Sequence, residues 1–194
     1  MNELSGGPVQ IALAKPRMVV CDVDGTLCDV RTIRHHVDPL LEGFSGKRDF
    51  GRFHSQSIDC PANAWVVELV RLLSVEGWAI GIVTAREERW SFLTTLWLAE
   101  HGVPYDQIHF RRNRDNRSGV LVKSDILASL SRTNAIGLAI DDNPGVVGLW
   151  QSSAIPTVVV SADGTPAKLG LCHHFAPGQE FPDVREFVRR FQMP

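Results

Sequence analysis

The sequence predicts an α/β fold: a three-layer sandwich in which helices cover a central, mostly parallel sheet. Short apolar runs alternate with stretches of helical periodicity along the chain, which is the pattern of strands joined by crossover helices. Several of these runs end in a hydroxyl or acidic residue. Polar residues in that position are typical of parallel strands, because ligands of open α/β sheets bind at the carboxyl ends of the strands.

The composition bounds the class of protein. The 194 residues are enough for one domain with a sizeable core, and we expect a flexible leader over 1–16 and a single domain over 17–194. A net charge of −2 excludes a global field that attracts nucleic acid or membrane, so such attraction requires a local patch. No apolar run reaches about 18 residues and no cysteines form a C-x-x-C pair, which favours a cytoplasmic, reduced protein that neither spans a membrane nor is secreted.

The elements of the first half follow from the apolar pattern. We expect a strand near 17–22 and then a polar, glycine-rich connection at 28–60, irregular and forming a short flap plus loop. A helix should begin after Pro61, because proline suits the first turn, and end at Gly77. Its apolar residues recur at helical spacing: Trp65, Val66, Leu69, Leu72 and Leu73.

The second half continues the alternation. A strand at 78–84 leads into a helix from about Glu87 to Glu100, whose inward face we expect to carry Trp90, Leu93 and Trp97. After them come a short strand at 107–110, an arginine-rich loop at 111–117, a helix at 122–130, a strand at 135–141, a helix near 144–152, a strand at 156–160 and a final helix at 182–191.

Two carboxylates follow the first strand. Asp22 and Asp24 project to the same face, because side chains alternate along a strand. Carboxylates held this close repel unless a cation lies between them, and Mg²⁺ prefers oxygen ligands. Gly25 then allows a tight turn, and Thr26 can offer its hydroxyl and N–H to an anion. An ordinary strand followed by an Asx-type turn is the alternative interpretation.

Three further segments deliver a reactive residue in chain order. Thr84 ends the run at 78–84, Lys123 lies near the start of the predicted helix at 122–130, and Asp141 and Asp142 end the run at 135–142. The carboxyl ends of parallel strands meet at one edge, so these residues are expected to share a site. Thr84 or Lys123 alone would mean little, and the set is what is specific.

The segment D-x-D-G-T, Thr84, Lys123 and the pair Asp141-Asp142 resemble the motifs of the haloacid dehalogenase-like phosphohydrolases, in order and across 18–160. The resemblance implies a Rossmann-like sheet and a Mg²⁺-dependent phosphomonoesterase that works through an aspartyl-phosphate intermediate. In that family, substrates are selected through cap insertions. The two gaps that could hold one are modest here, so we expect no sizeable cap domain and an open site that admits a large substrate, such as a nucleic acid end or a phosphoprotein.

The motif positions suggest a role for each residue. Asp22 is the expected nucleophile, and Asp24 the general acid and then the base that activates water. We expect the neighbouring charge of Asp22 to raise the pKa of Asp24. Thr84 should hydrogen-bond the transferring phosphoryl group, and Lys123 should balance charge on Asp22 and on that group.

The expected metal ligands are Asp22, the backbone carbonyl of Asp24, and Asp141, with Asp142 binding directly or through water. Asp142 and Asn143 also precede a proline, and Asx–Pro is a good start for a helix. One of the two is therefore an alternative candidate for a structural N-cap.

Arginines near the same edge are candidates for substrate binding. Arg86 follows Thr84 closely and could bind a substrate phosphate bidentately. The loop at 111–117 is expected to hold a nucleic acid strand through Arg112, Arg114 and Arg117. A solvated charged loop, partly compensated by Asp115, is the alternative. Arg31 and Arg34 are weaker candidates for the same task.

Within the family, the chain most resembles the 3′-phosphatase domain of bacteriophage-type polynucleotide kinase–phosphatases. The matching segments are Thr84-Ala85-Arg86, Phe110-Arg111-Arg112 with Asp115 and Arg117, Val122-Lys123, and Ala139-Ile140-Asp141-Asp142. This resemblance implies removal of 3′-phosphates from DNA or RNA ends. The chain has no Walker A sequence, so a kinase or ligase would be a separate partner. Gly119 also stands where relatives often carry an acid that steadies the lysine.

Two alternatives remain open from the residues. One is a phosphatase of nucleotides or other small phosphorylated metabolites. The other is a non-catalytic module that binds phosphorylated ends, against which the intact set of carboxylates, threonine and lysine argues.

Overall fold

A parallel sheet forms the centre of the computed structural model, which describes residues 14–161 and 184–191. Within these residues the sheet has five strands in the order β3-β2-β1-β4-β5, and every neighbouring pair is parallel. The strands are β1 (Arg17–Cys21), β2 (Ala79–Glu87), β3 (Gln107–Arg111), β4 (Ala135–Asp141) and β5 (Thr157–Val159). The predicted α/β class and mostly parallel sheet are confirmed.

Helices pack on both faces of the sheet. They are α1 (Phe50–Gln56), α2 (Ala64–Val75), α3 (Ser91–Glu100), α4 (Gly119–Leu130), α5 (Pro144–Ser152) and α6 (Val184–Phe191). Single turns of 3₁₀ helix occur at Arg34–His36, Ser57–Asp59 and Glu88–Trp90. Apolar residues of α2, α3 and α6 belong to one buried cluster, and those of α4 and α5 to the other. The sheet and the helices on its two faces are therefore the three layers of the sandwich, with one buried cluster on each side of the sheet.

The central strand β1 shows how the sequence builds two cores. Val19 and Cys21 belong to one buried cluster, and Met18 and Val20 to the other. This follows from the alternation of side chains along a strand, and a strand covered on both faces is apolar throughout. Burial of each such aliphatic side chain stabilises the fold by about 1.5–3 kcal/mol. Cys21 is a free, buried cysteine and packs in this strand as a small apolar side chain.

The flap segment (residues 28–60) is more regular than predicted. It contains α1 and two turns of 3₁₀ helix, with Asp49 accepting a hydrogen bond of 2.8 Å from the N–H of Arg52 as the N-cap of α1. Phe53 and His54 of α1 are buried. The helix was missed because its seven residues are too few to show a helical period.

Two helix boundaries also differ from the predictions. β2 continues to Glu87, so α3 begins only at Ser91, after a turn of 3₁₀ helix. Trp97 is buried as predicted, but Trp90 precedes α3 and does not lie on its inward face. α4 begins at Gly119 rather than near Val122, because Ser118 accepts the N–H of Leu121 as its N-cap.

Several expectations concern residues that lie largely outside the described part of the chain. The leader at 1–16 is described only from residue 14, and 162–183 is not described, so the division into a leader and one domain stays a prediction. In the two described ranges, no cap domain is seen and no helix is long and apolar enough to cross a membrane.

Candidate active site

Three carboxylates meet where β1 and β4 end. Oxygen atoms of Asp22, Asp141 and Asp142 all lie within 4.8 Å of one another. The N–H of Asp22 donates to the carbonyl of Ile140 at 3.0 Å, which continues the pairing of the two strands. Asp141 is held by the backbone N–H of Asn143 at 3.0 Å and by the Nε1–H of Trp150 at 3.2 Å. We call Asp22, Asp141 and Asp142 the acidic cluster.

The donor set of the acidic cluster fits a divalent cation. Burial raises the pKa of Asp22 to about 8; Lys123 opposes this shift, while Asp141 and Asp142 add to it. Burial and the charge of Asp141 likewise raise the pKa of Asp142 to about 6. The concentrated negative charge is therefore poorly compensated by the protein alone. Carboxylate oxygens are the ligands that Mg²⁺ takes, so the residues fit the expected metal.

Lys123 joins two members of the acidic cluster. Its Nζ atom, on α4, lies 2.8 Å from Asp22 Oδ1 and 2.7 Å from Asp141 Oδ2. The residue is only 2% exposed. Burial lowers the pKa of Lys123, but the two carboxylates outweigh it and hold the pKa above the ordinary value. The ammonium is therefore charged and placed where charge balance at Asp22 needs it.

Arg86 binds Asp24 rather than solvent. Its Nε lies 2.9 Å from Asp24 Oδ2 and its Nη2 lies 2.5 Å from Oδ1, while Nη1 donates to Thr94 Oγ1 at 3.1 Å. Arg86 is 2% exposed. Three N–H groups of this buried guanidinium are thus engaged, and they hold the carboxylate of Asp24 in place. The expected binding of a substrate phosphate by Arg86 stays a prediction.

The same ion pair corrects the expected pKa of Asp24. Burial raises this pKa, but the charge and hydrogen bonds of Arg86 outweigh burial, so the pKa is lowered rather than raised. The carboxylate of Asp24 also lies outside the acidic cluster. Its side chain is thus not placed as a metal ligand, and the role of its backbone carbonyl stays a prediction.

We expect Arg86→Lys to lower kcat by roughly 10²-fold, because a single ammonium cannot hold both oxygens of Asp24 and the hydroxyl of Thr94. General acid–base catalysis contributes about 10²–10⁴-fold, and misplacing Asp24 should forfeit part of that. Hydrolysis of an aryl phosphate measures the effect. Arg132→Lys, beyond the far end of α4, is the control and should retain full activity. An unchanged kcat in Arg86→Lys would show that Asp24 needs no such support.

Gly25 and Thr26 serve the fold of the first loop. Gly25 has φ +86°, and a Cβ atom added there would lie 2.3 Å from Asp142 Oδ2, so only glycine allows this approach. Its N–H donates to the carbonyl of Cys28 at 2.9 Å. Thr26 is fully buried, its hydroxyl donates to Asp142 Oδ1 at 3.1 Å, and its N–H donates to Val23. The N–H groups of both residues and the hydroxyl of Thr26 are thus engaged within the protein, and the expected contact of Gly25 and Thr26 with substrate stays a prediction.

The alternative between Asp142 and Asn143 is resolved by the capping contacts. Asn143 Oδ1 accepts the N–H groups of Gly145 at 3.0 Å and Val146 at 3.3 Å as the N-cap of α5. Asp142 belongs to the acidic cluster instead, and Nη2 of Arg34 lies 3.5 Å from Asp142 Oδ2.

Thr84 lies inside β2 rather than at its end. It is 1% exposed, and its hydroxyl oxygen accepts the N–H of Arg86 at 3.2 Å. Within the part of the chain that the structure describes, this hydroxyl has no acceptor for its own proton, which leaves the proton available for donation. Its contact with a phosphoryl group stays a prediction.

A cavity of about 660 Å³ opens beside these residues. Asp22, Asp24, Asp142 and Lys123 line its acidic end. The rest of its wall is mixed, with two carboxylates (Glu87 and Asp115) and several aliphatic residues. It is rich in aromatic and basic side chains: Phe50, Phe53, His54 and Trp90, with Arg34, Arg48, Arg89, Arg111 and Arg117. Most of the aromatic residues come from α1, a helix that the sequence pattern did not predict. The signal that could have found them is position, because a chain leaving Asp24 must cross the carboxyl edge of the sheet before it reaches α2.

The arginine loop is largely paired with itself. Arg111 holds it together, donating from Nε to the carbonyl of Ala85 and from Nη1 to the carbonyls of Asp115 and Arg117. Arg117 forms ion pairs with Asp115 at 2.8 Å and Asp125 at 2.9 Å. The hydrogen bonds from Arg117 lower the pKa of Asp115 to about 2. Arg117 is thus paired within the loop, as in the alternative of a charged loop compensated by Asp115. Its expected contact with substrate stays a prediction.

Arg112 and Arg114 are exposed and do not line the cavity. Their expected contact with substrate could occur only with a strand that extends beyond the cavity. Arg34, a weaker candidate from the sequence, does line the cavity.

Comparison with known proteins identifies relatives of this chain. The family model of the polynucleotide kinase PNKP phosphatase domain matches residues 16–165. A chain from the structure of the Pnkp1/Rnl/Hen1 complex is 24% identical with a TM-score of 0.63, and the match covers 77% of this chain and 47% of that one. The chain therefore spans about half the length of this relative.

Two further solved structures share the fold. The haloacid dehalogenase-like family protein SP0104 from Streptococcus pneumoniae is 14% identical with a TM-score of 0.58, covering 91% of this chain and 99% of that one. The class C acid phosphatase from Bacillus anthracis is 14% identical with a TM-score of 0.58, covering 78% and 68%. At these identities the likeness concerns the fold.

Proposed function

Because this chain belongs to the polynucleotide kinase PNKP phosphatase domain family of haloacid dehalogenase-like phosphatases, we propose that it removes 3′-phosphates from DNA or RNA ends. The observation that carries the proposal is the cavity, which joins the acidic cluster to a wall of arginine and aromatic side chains. The first part suits a phosphoryl group, and the second suits the nucleic acid to which it is attached.

The proposed reaction begins at Asp22. Its carboxylate attacks phosphorus and forms an aspartyl phosphate, while Asp24 gives a proton to the leaving oxygen. The Arg86 ion pair lowers the pKa of Asp24 in the free protein. An entering phosphate places negative charge beside Asp24 and favours its protonated form. In the second step, Asp24 takes a proton from the water that hydrolyses the intermediate.

The remaining residues manage charge. Mg²⁺ held by Asp22, Asp141, Asp142 and the backbone carbonyl of Asp24 would neutralise charge between the carboxylates and the phosphoryl oxygens. Lys123 keeps Asp22 and Asp141 together and compensates the negative charge that develops nearby. Thr84 donates its hydroxyl proton to a phosphoryl oxygen.

The flap offers a free cation for a nucleic acid strand. Arg48 lines the cavity, is exposed and has no ion pair or hydrogen bond from its side chain within the described residues. Arg34 also lines the cavity, but lies close to Asp142. Since the chain has a net charge of −2, local side chains of this kind must supply the attraction to a strand.

We expect Arg48→Ala to lower kcat/KM for a 3′-phosphorylated oligonucleotide several-fold, mainly by raising KM. The logarithm of the binding constant should also depend less steeply on the logarithm of the salt concentration, with a slope smaller by about 0.7–0.9. Hydrolysis of a small aryl phosphate should be spared. Arg112→Ala tests the loop in the same way, and Arg132→Ala is the control. A larger effect at Arg112 than at Arg48 would mean that the loop, not the flap, holds the strand.

A panel of phosphorylated substrates tests the proposed function. We expect Mg²⁺-dependent release of phosphate from oligonucleotide 3′ ends, at a higher kcat/KM than from 5′ ends or nucleoside monophosphates. A preference of tenfold or more for the nucleoside monophosphates would favour a phosphatase of small metabolites. Binding of 3′-phosphorylated ends without turnover would favour a non-catalytic module.

The setting and partners are part of the proposal. Cys21, Cys28 and Cys60 are free and buried, which is consistent with a reducing, cytoplasmic location. A similar chain occurs in the Pnkp1/Rnl/Hen1 complex. We therefore propose that a kinase or a ligase acts on the same nucleic acid ends as a separate partner of this chain.

A further inference from the structure

The position of Asp24 fixes the side on which the leaving group must lie. In the proposed function, on which this inference rests, Asp24 gives a proton to the oxygen that departs with the nucleoside. A general acid must be within hydrogen-bond reach of that oxygen. Whatever the oxygen is attached to is therefore bound next to Asp24, and the surface there should match it.

That surface is aromatic. Nδ1 of His54 lies 3.9 Å from Asp24 Oδ2. The ring of Phe50, one turn earlier on α1, is stacked on His54 with ring centres 6.2 Å apart and planes at 27°. The ring centre of Trp90 lies 5.6 Å from that of His54, with the two planes at 52°. We call Phe50, His54 and Trp90 the aromatic wall, and all three line the cavity.

Phe50 is not needed to anchor α1. It is 50% exposed, whereas Phe53 of the same helix is 5% exposed and packs in the core. A half-exposed phenylalanine that lines a cavity presents apolar surface to water, and a flat ligand could cover it.

We propose that the aromatic wall is a nucleobase subsite, in which the base of the 3′-terminal nucleoside lies against the exposed surface of Phe50 with Trp90 beside it. Aromatic side chains bind bases by stacking, and stacking tolerates every base because each has a π-face. The subsite thus senses the presence of a base rather than its identity. Arg89 lies over the Trp90 ring at 5.5 Å and pairs with Glu87 at 2.6 Å, so it helps to fix one side of the aromatic wall.

The test compares two oligonucleotides that differ only at the terminal base. Both carry a 3′-phosphate, and one ends in an abasic sugar. The wild-type protein should prefer the base-bearing substrate by about tenfold or more in kcat/KM. Phe50→Leu keeps an apolar side chain but removes the ring, and should reduce this preference to within about threefold while sparing the abasic substrate. Phe92→Leu is the matched control, since Phe92 is 73% exposed and does not line the cavity.

Each outcome bears on a definite claim. If the wild-type protein removes 3′-phosphate equally from both oligonucleotides, or if Phe50→Leu keeps the wild-type preference, the nucleobase subsite is disproved while the proposed function stands. If neither oligonucleotide is dephosphorylated although an aryl phosphate is hydrolysed, the proposed function fails and the subsite falls with it. If Phe92→Leu also loses the preference for the base-bearing oligonucleotide, that loss reflects a general change in the protein, and the role of Phe50 is overturned.

Discussion

Replacing Asp22 by asparagine should reduce phosphate release by roughly 10⁴-fold or more with every substrate, while the protein remains folded. The amide is nearly isosteric with the carboxylate but cannot attack phosphorus. Folding should be little affected, because Lys123 still pairs with Asp141 at 2.7 Å and because burial already disfavours the charged form of Asp22. Steady-state release of phosphate and thermal unfolding, measured on the same preparation, check both halves of the expectation.

The control for this substitution is Asp125→Asn. The side chain of Asp125 is 66% exposed and pairs with Arg117, so its loss should leave the activity near the wild-type level. Residual activity of Asp22→Asn above about one per cent would point to another nucleophile or to direct attack by water. Full binding of 3′-phosphorylated ends in a protein that never turns over would instead favour the non-catalytic module.

Replacing Lys123 by methionine should destabilise the fold by about 3–5 kcal/mol, because it leaves Asp141 buried without its cation and removes the ammonium that contacts Asp22. Activity should fall together with stability. Since a divalent cation can take over part of the compensation, Mg²⁺ should stabilise Lys123→Met more than it stabilises the wild-type protein. Urea unfolding with and without Mg²⁺ measures both effects.

Lys47→Met provides the comparison for this change, because Lys47 is an exposed lysine of the flap segment and should lose little stability. Equal unfolding midpoints for Lys123→Met and the wild-type protein would contradict the structural role given to the ion pairs. An equal response of both proteins to Mg²⁺ would separate the lysine from the metal site.

The acidic end of the site could be predicted from the sequence because it depends on strand order and strand ends alone. Asp22 and Asp141 follow apolar runs, and the carboxyl ends of neighbouring parallel strands must meet at one edge. Lys123 was expected at the start of a helix leading away from that edge, and its place on α4 is one turn deeper, which points the ammonium back between the two carboxylates.

The substrate end could not be predicted in the same way. The bidentate pair of Arg86 and Asp24 joins residues 62 positions apart, and nothing local distinguishes it from an arginine that faces solvent. Trp90 looked like part of the inward face of α3, but β2 runs three residues further than its apolar pattern indicates and turns Trp90 toward the cavity. The α1 residues Phe50 and His54 lay in a segment too short and too polar to show a period.

The most direct test of the catalytic proposal is chemical trapping of the intermediate at Asp22. Acid quenching during turnover, followed by borohydride reduction, converts an aspartyl phosphate into homoserine, which mass spectrometry locates in the sequence. We expect homoserine at position 22, formed only when substrate and Mg²⁺ are both present and absent from Asp22→Asn. Homoserine at another acidic residue, or none at all during active turnover, would contradict the assignment of Asp22 as the nucleophile.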